Sequence, residues 1–174
     1  RTAGKAPHPL CDNLRYLAGD YTRYVQDKKG DISDYHELYM EELEKWYHSE
    51  FSHEKVRAIF QYLEKGTLVY DLIREKILEV NETGQLAENV KIEGVSQDMA
   101  FVRFVVRGNS VQTFGVTVDE CWKDQSLQEC YLEYYRSQKG KKELDYLTGE
   151  MQAVSYLHSK KIRNEGDGAK LISS

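Results

Sequence analysis

The chain has 174 residues, 40% of them hydrophobic and 30% charged, the balance of a globular domain large enough to bury a core and not of a low-complexity chain. Its net charge of −5 argues against indiscriminate nucleic-acid binding by the whole surface, but screening over about 8 Å at physiological salt leaves room for a local basic site. No run approaches the ~18 apolar residues of a membrane-spanning helix and no signal-peptide pattern is present. Three cysteines (Cys11, Cys121 and Cys130) without C-x-x-C spacing fit a reducing cytoplasm rather than disulfides or structural zinc.

Residues 1–10 read as a loop, because Gly4, Pro7 and Pro9 oppose regular structure, and Arg1, Lys5 and His8 make it basic. Residues 10–16 read as a short strand or turn, with Asp12 and Asn13 as turn or cap formers. After the polar turn Lys28-Lys29-Gly30-Asp31, apolar and aromatic residues recur at steps of three and four: Tyr35, Leu38, Tyr39, Leu43, Trp46 and Tyr47. That spacing predicts a helix capped by Asp31 or Ser33, with Glu37, Glu41, Glu42 and Glu44 on its wet face. Ser52 opens a second helix through Val56, Ile59, Phe60 and Leu63, closed at Gly66. Thr67 opens a third through Leu68, Val69, Leu72, Ile73, Ile77 and Val80, stopped by Asn81-Glu82-Thr83-Gly84. Connections this short predict that the helices between Ser33 and Val80 pack side by side.

After Gln85 the period changes to two. Residues 99–107 predict a strand with Ala100, Val102, Phe104 and Val106 on one apolar face, and Val102, Phe104 and Val106 are expected to be buried together. Arg103 and Arg107 on the other face pair with acids, lie in water or face DNA. Gly108-Asn109 supplies a hairpin turn and residues 110–116 the return strand. Asp119 or Asp124 caps a fourth helix carrying Leu127, Tyr131, Tyr134 and Tyr135. It ends at Gly140, where Lys139, Lys141 and Lys142 suit the negative end of the helix dipole.

The last stretch is an apolar run ending at Leu147, a Thr148-Gly149 turn, a second apolar run, the basic loop Lys160-Lys161-Ile162-Arg163, the glycine-rich Asn164-Glu165-Gly166-Asp167-Gly168 and a third apolar run. Gly166 and Gly168 permit positive φ and close approach to a ligand, and lysines beside them suit phosphate. A solvated strand edge with polar connections fits the same spacing. The expected class is α+β, a helical group packed on an antiparallel β-sheet to which the terminal strands contribute, forming a single domain over 1–174. The 13 tyrosines suit half-buried surfaces, including interfaces with other subunits.

Catalytic motifs are missing: no G-x-S-x-G, phosphate loop, H-E-x-x-H or dinucleotide fingerprint occurs. Cys11 and His158 lack a third, orienting group, and His36-Glu37 lacks a third ligand. Asp119-Glu120 with Lys123 comes nearest to the carboxylate cluster of a metal nuclease, but its place at a helix start is explained by capping. The expectation is no enzyme, no cofactor and no metal site.

Leu147-Thr148-Gly149-Glu150, with Leu157-His158 and Gly168-Ala169-Lys170-Leu171-Ile172-Ser173, resembles a signature of the large subunit of the type I-C (Dvulg subtype) CRISPR Cascade. Arg1-Thr2-Ala3-Gly4-Lys5-Ala6-Pro7, with Leu10-Cys11-Asp12-Asn13, Tyr16 and Gly19 behind it, resembles a second signature of that family. Two signatures in the right order at opposite ends are more specific than either alone. Pro9 departs from the family pattern where an aromatic is expected, and Asp145 where many members carry a cysteine, which argues against a metal or thiol role there.

The resemblance implies an N-terminal fragment of a longer large subunit, in keeping with a chain that starts at Arg1 without methionine and stops within an apolar run. It also implies a function: binding target double-stranded DNA and recognising the protospacer-adjacent motif in antiviral defence. The implied partners are crRNA-bound Cascade subunits and a helicase-nuclease recruited to the complex. The side chains available to enter a groove or meet phosphate are Lys5, Asn13, Lys160, Lys161, Arg163 and Asn164. A structural docking role in the same complex without DNA contact is the alternative, and a metal-dependent nuclease a more distant one.

Overall fold

The computed structural model describes residues 7–26, 34–107, 118–138, 142–144 and 151–153. Two compact units, Arg1–Tyr134 and Tyr135–Ser174, divide the chain. The described residues are mostly helical, with α1 (Leu14–Leu17), α2 (Tyr21–Tyr24), α3 (Tyr35–His48), α4 (Glu54–Leu63), α5 (Leu68–Arg74) and α6 (Gln125–Gln138). The strands are short: β1 (Asp12–Asn13), β2 (Lys91–Ile92), β3 (Val95–Ser96), β4 (Phe101–Val102), β5 (Lys142–Leu144) and β6 (Met151–Ala153).

The core begins where the sequence predicted only a strand or turn. Leu14, Leu17, Ala18 and Tyr21 stand at positions i, i+3, i+4 and i+7, and all four are buried. That helical spacing turns one apolar stripe of α1 and α2 inward. Against it lies the predicted stripe of α3, in which Tyr35, Tyr39, Leu43 and Trp46 are buried. Tyr16 meets Tyr35 edge-on with ring centroids 4.9 Å apart. Burying each such side chain contributes on the order of 1.5–3 kcal/mol, so this contact outweighs the weak helical tendency of a four-residue turn. Val56, Ile59, Phe60 and Leu63 form the predicted inner face of α4.

Gly19 lets the turn after α1 approach α4. A Cβ there would stand 3.0 Å from His36 Nε2 and 3.1 Å from the Gly66 Cα. Gly66 itself has φ +61° and ends α4 as predicted.

The third helix is shorter than its apolar spacing suggested. Lys76 adopts φ 59°, its N–H bonds the Ile73 carbonyl at 2.9 Å, and the Ile77 N–H reaches back to the Leu72 carbonyl at 2.9 Å. These two reversed bonds close α5 at Arg74, so Ile77 and Val80 are exposed and Leu78 takes the buried place. The start of α5 is capped from elsewhere in the chain: Asp20 accepts the N–H groups of Val69 (3.1 Å) and Tyr70 (2.9 Å).

Among the described residues the antiparallel strands form not one continuous sheet but three two-stranded pairings, β1 with β4, β2 with β3 and β5 with β6. The alternation of residues 100–107 is present: Ala100, Val102, Phe104 and Val106 are half-buried against the core, while Phe101, Arg103, Val105 and Arg107 are exposed. Only Phe101–Val102 is strand, and residues 97–99 form a 3₁₀ turn. The chain changes partner along its length. Asp12 and Asn13 stand opposite Val102 and Phe101, whereas the Val106 N–H bonds the Asp119 carbonyl and the Cys121 N–H bonds the Phe104 carbonyl. Among the described residues neither ladder extends beyond a pair or two, and Val102, Phe104 and Val106 are half-buried.

The predicted return strand at 110–116 lies outside the described residues. A tight hairpin that the sequence reading did not single out joins β2 to β3, with Glu93 (φ 50°) and Gly94 (φ 85°) at its tip. In the second unit, β5 and β6 pair antiparallel in the register Lys142↔Ala153, Glu143↔Gln152, Leu144↔Met151; the predicted Thr148-Gly149 turn lies outside the described residues.

Candidate nucleic-acid interface

Of the six side chains predicted to meet DNA, Asn13 lies within the described residues; Lys5, Lys160, Lys161, Arg163 and Asn164, with Gly166 and Gly168, lie outside them. Asn13 is half-buried at the end of β1, opposite Phe101. Its backbone is held firmly. The Asn13 N–H donates to Asp12 Oδ1 at 2.8 Å, while Asp12 Oδ2 accepts the His8 N–H at 2.8 Å. Asp12 is itself fully buried, so one carboxylate ties the incoming loop to the start of α1. The next residue is locked as well, through the Leu14 N–H bonded to the Ala100 carbonyl at 3.0 Å. The Asn13 amide makes no capping bond to α1.

The two arginines offered to DNA by the predicted strand behave differently from each other. Arg107 is 88% exposed with Asp119 3.9 Å away. Arg103 lays its guanidinium over the Trp122 ring, 4.5 Å from the centroid.

The acids that came nearest to a nuclease cluster are parcelled out among separate cations. Glu120 pairs with Lys123 at 2.8 Å, and that hydrogen bond lowers the Glu120 carboxyl below its usual range. Capping of α6 falls to Asp124, whose Oδ1 accepts the Leu127 N–H at 3.3 Å and the Ser126 hydroxyl at 2.6 Å. Among the described residues no group of three His, Cys, Asp or Glu side chains is placed to hold a metal ion. His36 donates from Nδ1 to the Tyr16 carbonyl (3.1 Å), since a carbonyl only accepts, and so fastens α3 to α1. Burial raises the Cys11 thiol, with Asp12 adding to the shift, which is the reverse of what a nucleophile needs.

A buried lysine escaped the sequence reading. Lys55 is 1% exposed, pairs with Asp124 Oδ2 at 2.5 Å and donates to the Val118 carbonyl. The available signal was its position four residues before Ile59 and eight before Leu63, on the apolar stripe of α4. Burial pushes the Asp124 carboxyl up, but the bonds from Lys55, Ser126 and Leu127 outweigh it and bring the pKa down to about 2.

His53 caps α4 by accepting the Lys55 N–H at Nδ1 (3.2 Å), which leaves the ring proton on Nε2, 3.2 Å from Ser126 Oγ. Burial lowers its pKa and keeps the imidazole neutral at pH 7. The proton order is therefore His53 to Ser126 to Asp124. A serine nucleophile needs the opposite order, with histidine taking its proton. The cluster is a shared cap that joins the starts of α4 and α6.

No helix among the described residues is long and apolar enough to cross a membrane. No curated protein and no solved structure matches the chain. A family model described as CRISPR-associated protein (Cas_Csd1) matches residues 1–174, the whole sequence. Members of that family are structural subunits of Cascade, generally non-catalytic, that assemble with other Cas proteins. With its two signatures at opposite ends and the family match between them, the chain belongs to the Cas_Csd1 family, the large subunits of type I-C Cascade, and is a component of that complex in CRISPR antiviral defence.

Proposed function

We propose that this chain binds target double-stranded DNA and takes part in recognising the protospacer-adjacent motif within the assembled type I-C complex. The observation that carries the proposal is the family match over the full 174 residues. The division of labour follows from physics. Pairing with the guide RNA reads a long sequence, so the protein has to read only a few base pairs and the backbone beside them. Base reading needs an amide or guanidinium on a fixed backbone, and Asn13 has the fixed backbone: its N–H is held by a buried carboxylate, and the Leu14 N–H by the Ala100 carbonyl. Backbone positioning needs cations, and Lys5, Lys160, Lys161 and Arg163 concentrate them in a chain that is acidic overall.

The test replaces Lys160 and Lys161 together, and Lys5 separately, with alanine in the full complex. Each lost phosphate contact reduces the slope of log affinity against log salt by about one unit, whatever the DNA sequence. Unchanged affinity and slope for motif-containing duplex rule this surface out. The net charge of −5 favours a second reading, in which the chain docks the subunit in the complex without touching DNA. The same experiment separates the two, since the docking role predicts no change in slope.

A further inference from the structure

A cleft of about 370 Å³ opens between the N-terminal loop, the extended segment around Phe104 and α6. Its walls are mainly apolar, with Leu10, Trp46, Phe104 and Leu127 inside and Trp122 and Leu132 at positions 39% and 48% exposed. Exposed aromatic and aliphatic side chains around a concave apolar surface mark interaction sites. Arg103 supplies the charge. Its guanidinium rests on Trp122, and it has no carboxylate partner among the described residues, whereas Arg107 four residues on faces Asp119.

Three features select the occupant. A small polar metabolite needs several converging polar groups, and the described wall is mainly apolar: besides Arg103 it carries Gln128, the Tyr131 phenol, the Trp122 indole and two thiols, Cys11 and Cys121, which burial keeps protonated. A nucleic-acid strand needs several cations to replace its counterions. Among the described residues Arg103 is the one cation of the wall, and the exposed residues next to Gln128 and Leu132 on α6 are Glu129 and Glu133. A protein anchor fits both the apolar floor and the lone guanidinium, and membership of the family implies assembly with other Cascade subunits.

We propose that this cleft receives a large apolar side chain, flanked by an aspartate or glutamate that meets Arg103, from another protein subunit of the Cascade complex. The proposal is independent of DNA binding by this chain. The apolar anchor is desolvated at the centre of the contact, and the rim pair fixes its register.

The experiment uses the reconstituted complex with Leu132→Glu and Arg103→Glu. Both side chains are exposed, and Arg103→Glu leaves the apolar walls intact, so it remains informative if Leu132→Glu unfolds. Each substitution is expected to weaken incorporation of this chain at least about tenfold, read by native mass spectrometry across a dilution series. A photo-crosslinking residue at position 132 is expected to label a peptide of another subunit that has a large apolar side chain beside an acid. Reversing that acid to lysine is expected to restore Arg103→Glu. Unchanged incorporation of both variants, or crosslinks only to nucleic acid or to this same chain, overturn the proposal.

Discussion

Two regions of the first unit hold a turn of chain in place by opposite means. Around α1 the agent is apolar burial: Leu14 and Leu17 have no exposed surface, and Tyr16 keeps 1%. Around residues 118–124 the agent is charge. Lys55 reaches from α4 to the Val118 carbonyl and the Asp124 carboxylate, and so fixes the strand-like segment that pairs with Phe104 and Val106. The first region is dominated by its apolar contacts, with the Asp12 carboxylate and the His36 ring adding single hydrogen bonds at its edges, whereas the second is centred on the Lys55–Asp124 ion pair. Asn13, the candidate reader of DNA bases, sits on the first.

The sharpest way to break this contrast is to remove one half of the buried pair. Lys55→Ala strands the Asp124 carboxylate and is expected to cost about 3–5 kcal/mol in urea unfolding. The double variant Lys55→Met with Asp124→Leu recovers most of that loss if the cost comes from the stranded charge, and little of it if the site needs the ion pair and its bonds to Val118, Ser126 and Leu127. Leu17→Ala tests the other region. It leaves a cavity in a site with no room to relax and is expected to cost about 2–5 kcal/mol, by a similar amount at pH 7 and pH 4.

Acid titration separates the regions further. The folded pKa of Asp124 is depressed to about 2, so its stabilisation is present above the ordinary aspartate range and is lost as pH falls toward 2. The folded pKa of His53 is also depressed, so in the ordinary histidine range the unfolded chain binds the proton that the folded chain refuses. Stability therefore rises as pH rises through that range. Asp124→Asn is expected to flatten the acid limb of a stability–pH profile, and His53→Gln the limb near neutrality, while Leu17→Ala leaves both slopes intact. The smallest effect belongs to Arg107→Ala: this exposed arginine faces Asp119 across 3.9 Å, and its loss is expected to change stability by less than about 0.5 kcal/mol.

Sequence periodicity made α3, α4 and α6 legible because buried residues recur at helical steps in each: four in α3, five in α4, and in α6 Leu127 and Tyr134 with half-buried Tyr131 between them. The same principle applied to α1 and α2, where Leu14, Leu17, Ala18 and Tyr21 show it, but two prolines upstream and the interruption at Gly19-Asp20 disguised the stripe as a short strand or turn. For residues 99–107 the alternation gave the correct face and the wrong ladder. Which side chains point inward is a local property, whereas how many residues pair depends on partners far away in the chain, Asp12 and Asp119. The early end of α5 was hidden because Lys76 takes a left-handed conformation that a glycine usually announces.

The candidate site was legible only through resemblance. Asn13 carries no local mark of function, and the network that anchors it is set by Asp12, which spacing alone reads as a turn former. What the fold adds is a reason for Asn13 to be a precise contact, since its backbone is held from both sides.

The most direct measurement is the affinity of the assembled complex for motif-containing and motif-scrambled duplex, with and without Asn13→Ala. The side chain makes no capping bond to α1, so the substitution is expected to leave the melting temperature and complex assembly unchanged. If the Asn13 amide reads a base edge, discrimination between the two duplexes narrows by about 1–3 kcal/mol. The same discrimination in variant and parent, at unchanged assembly, contradicts base reading by this residue.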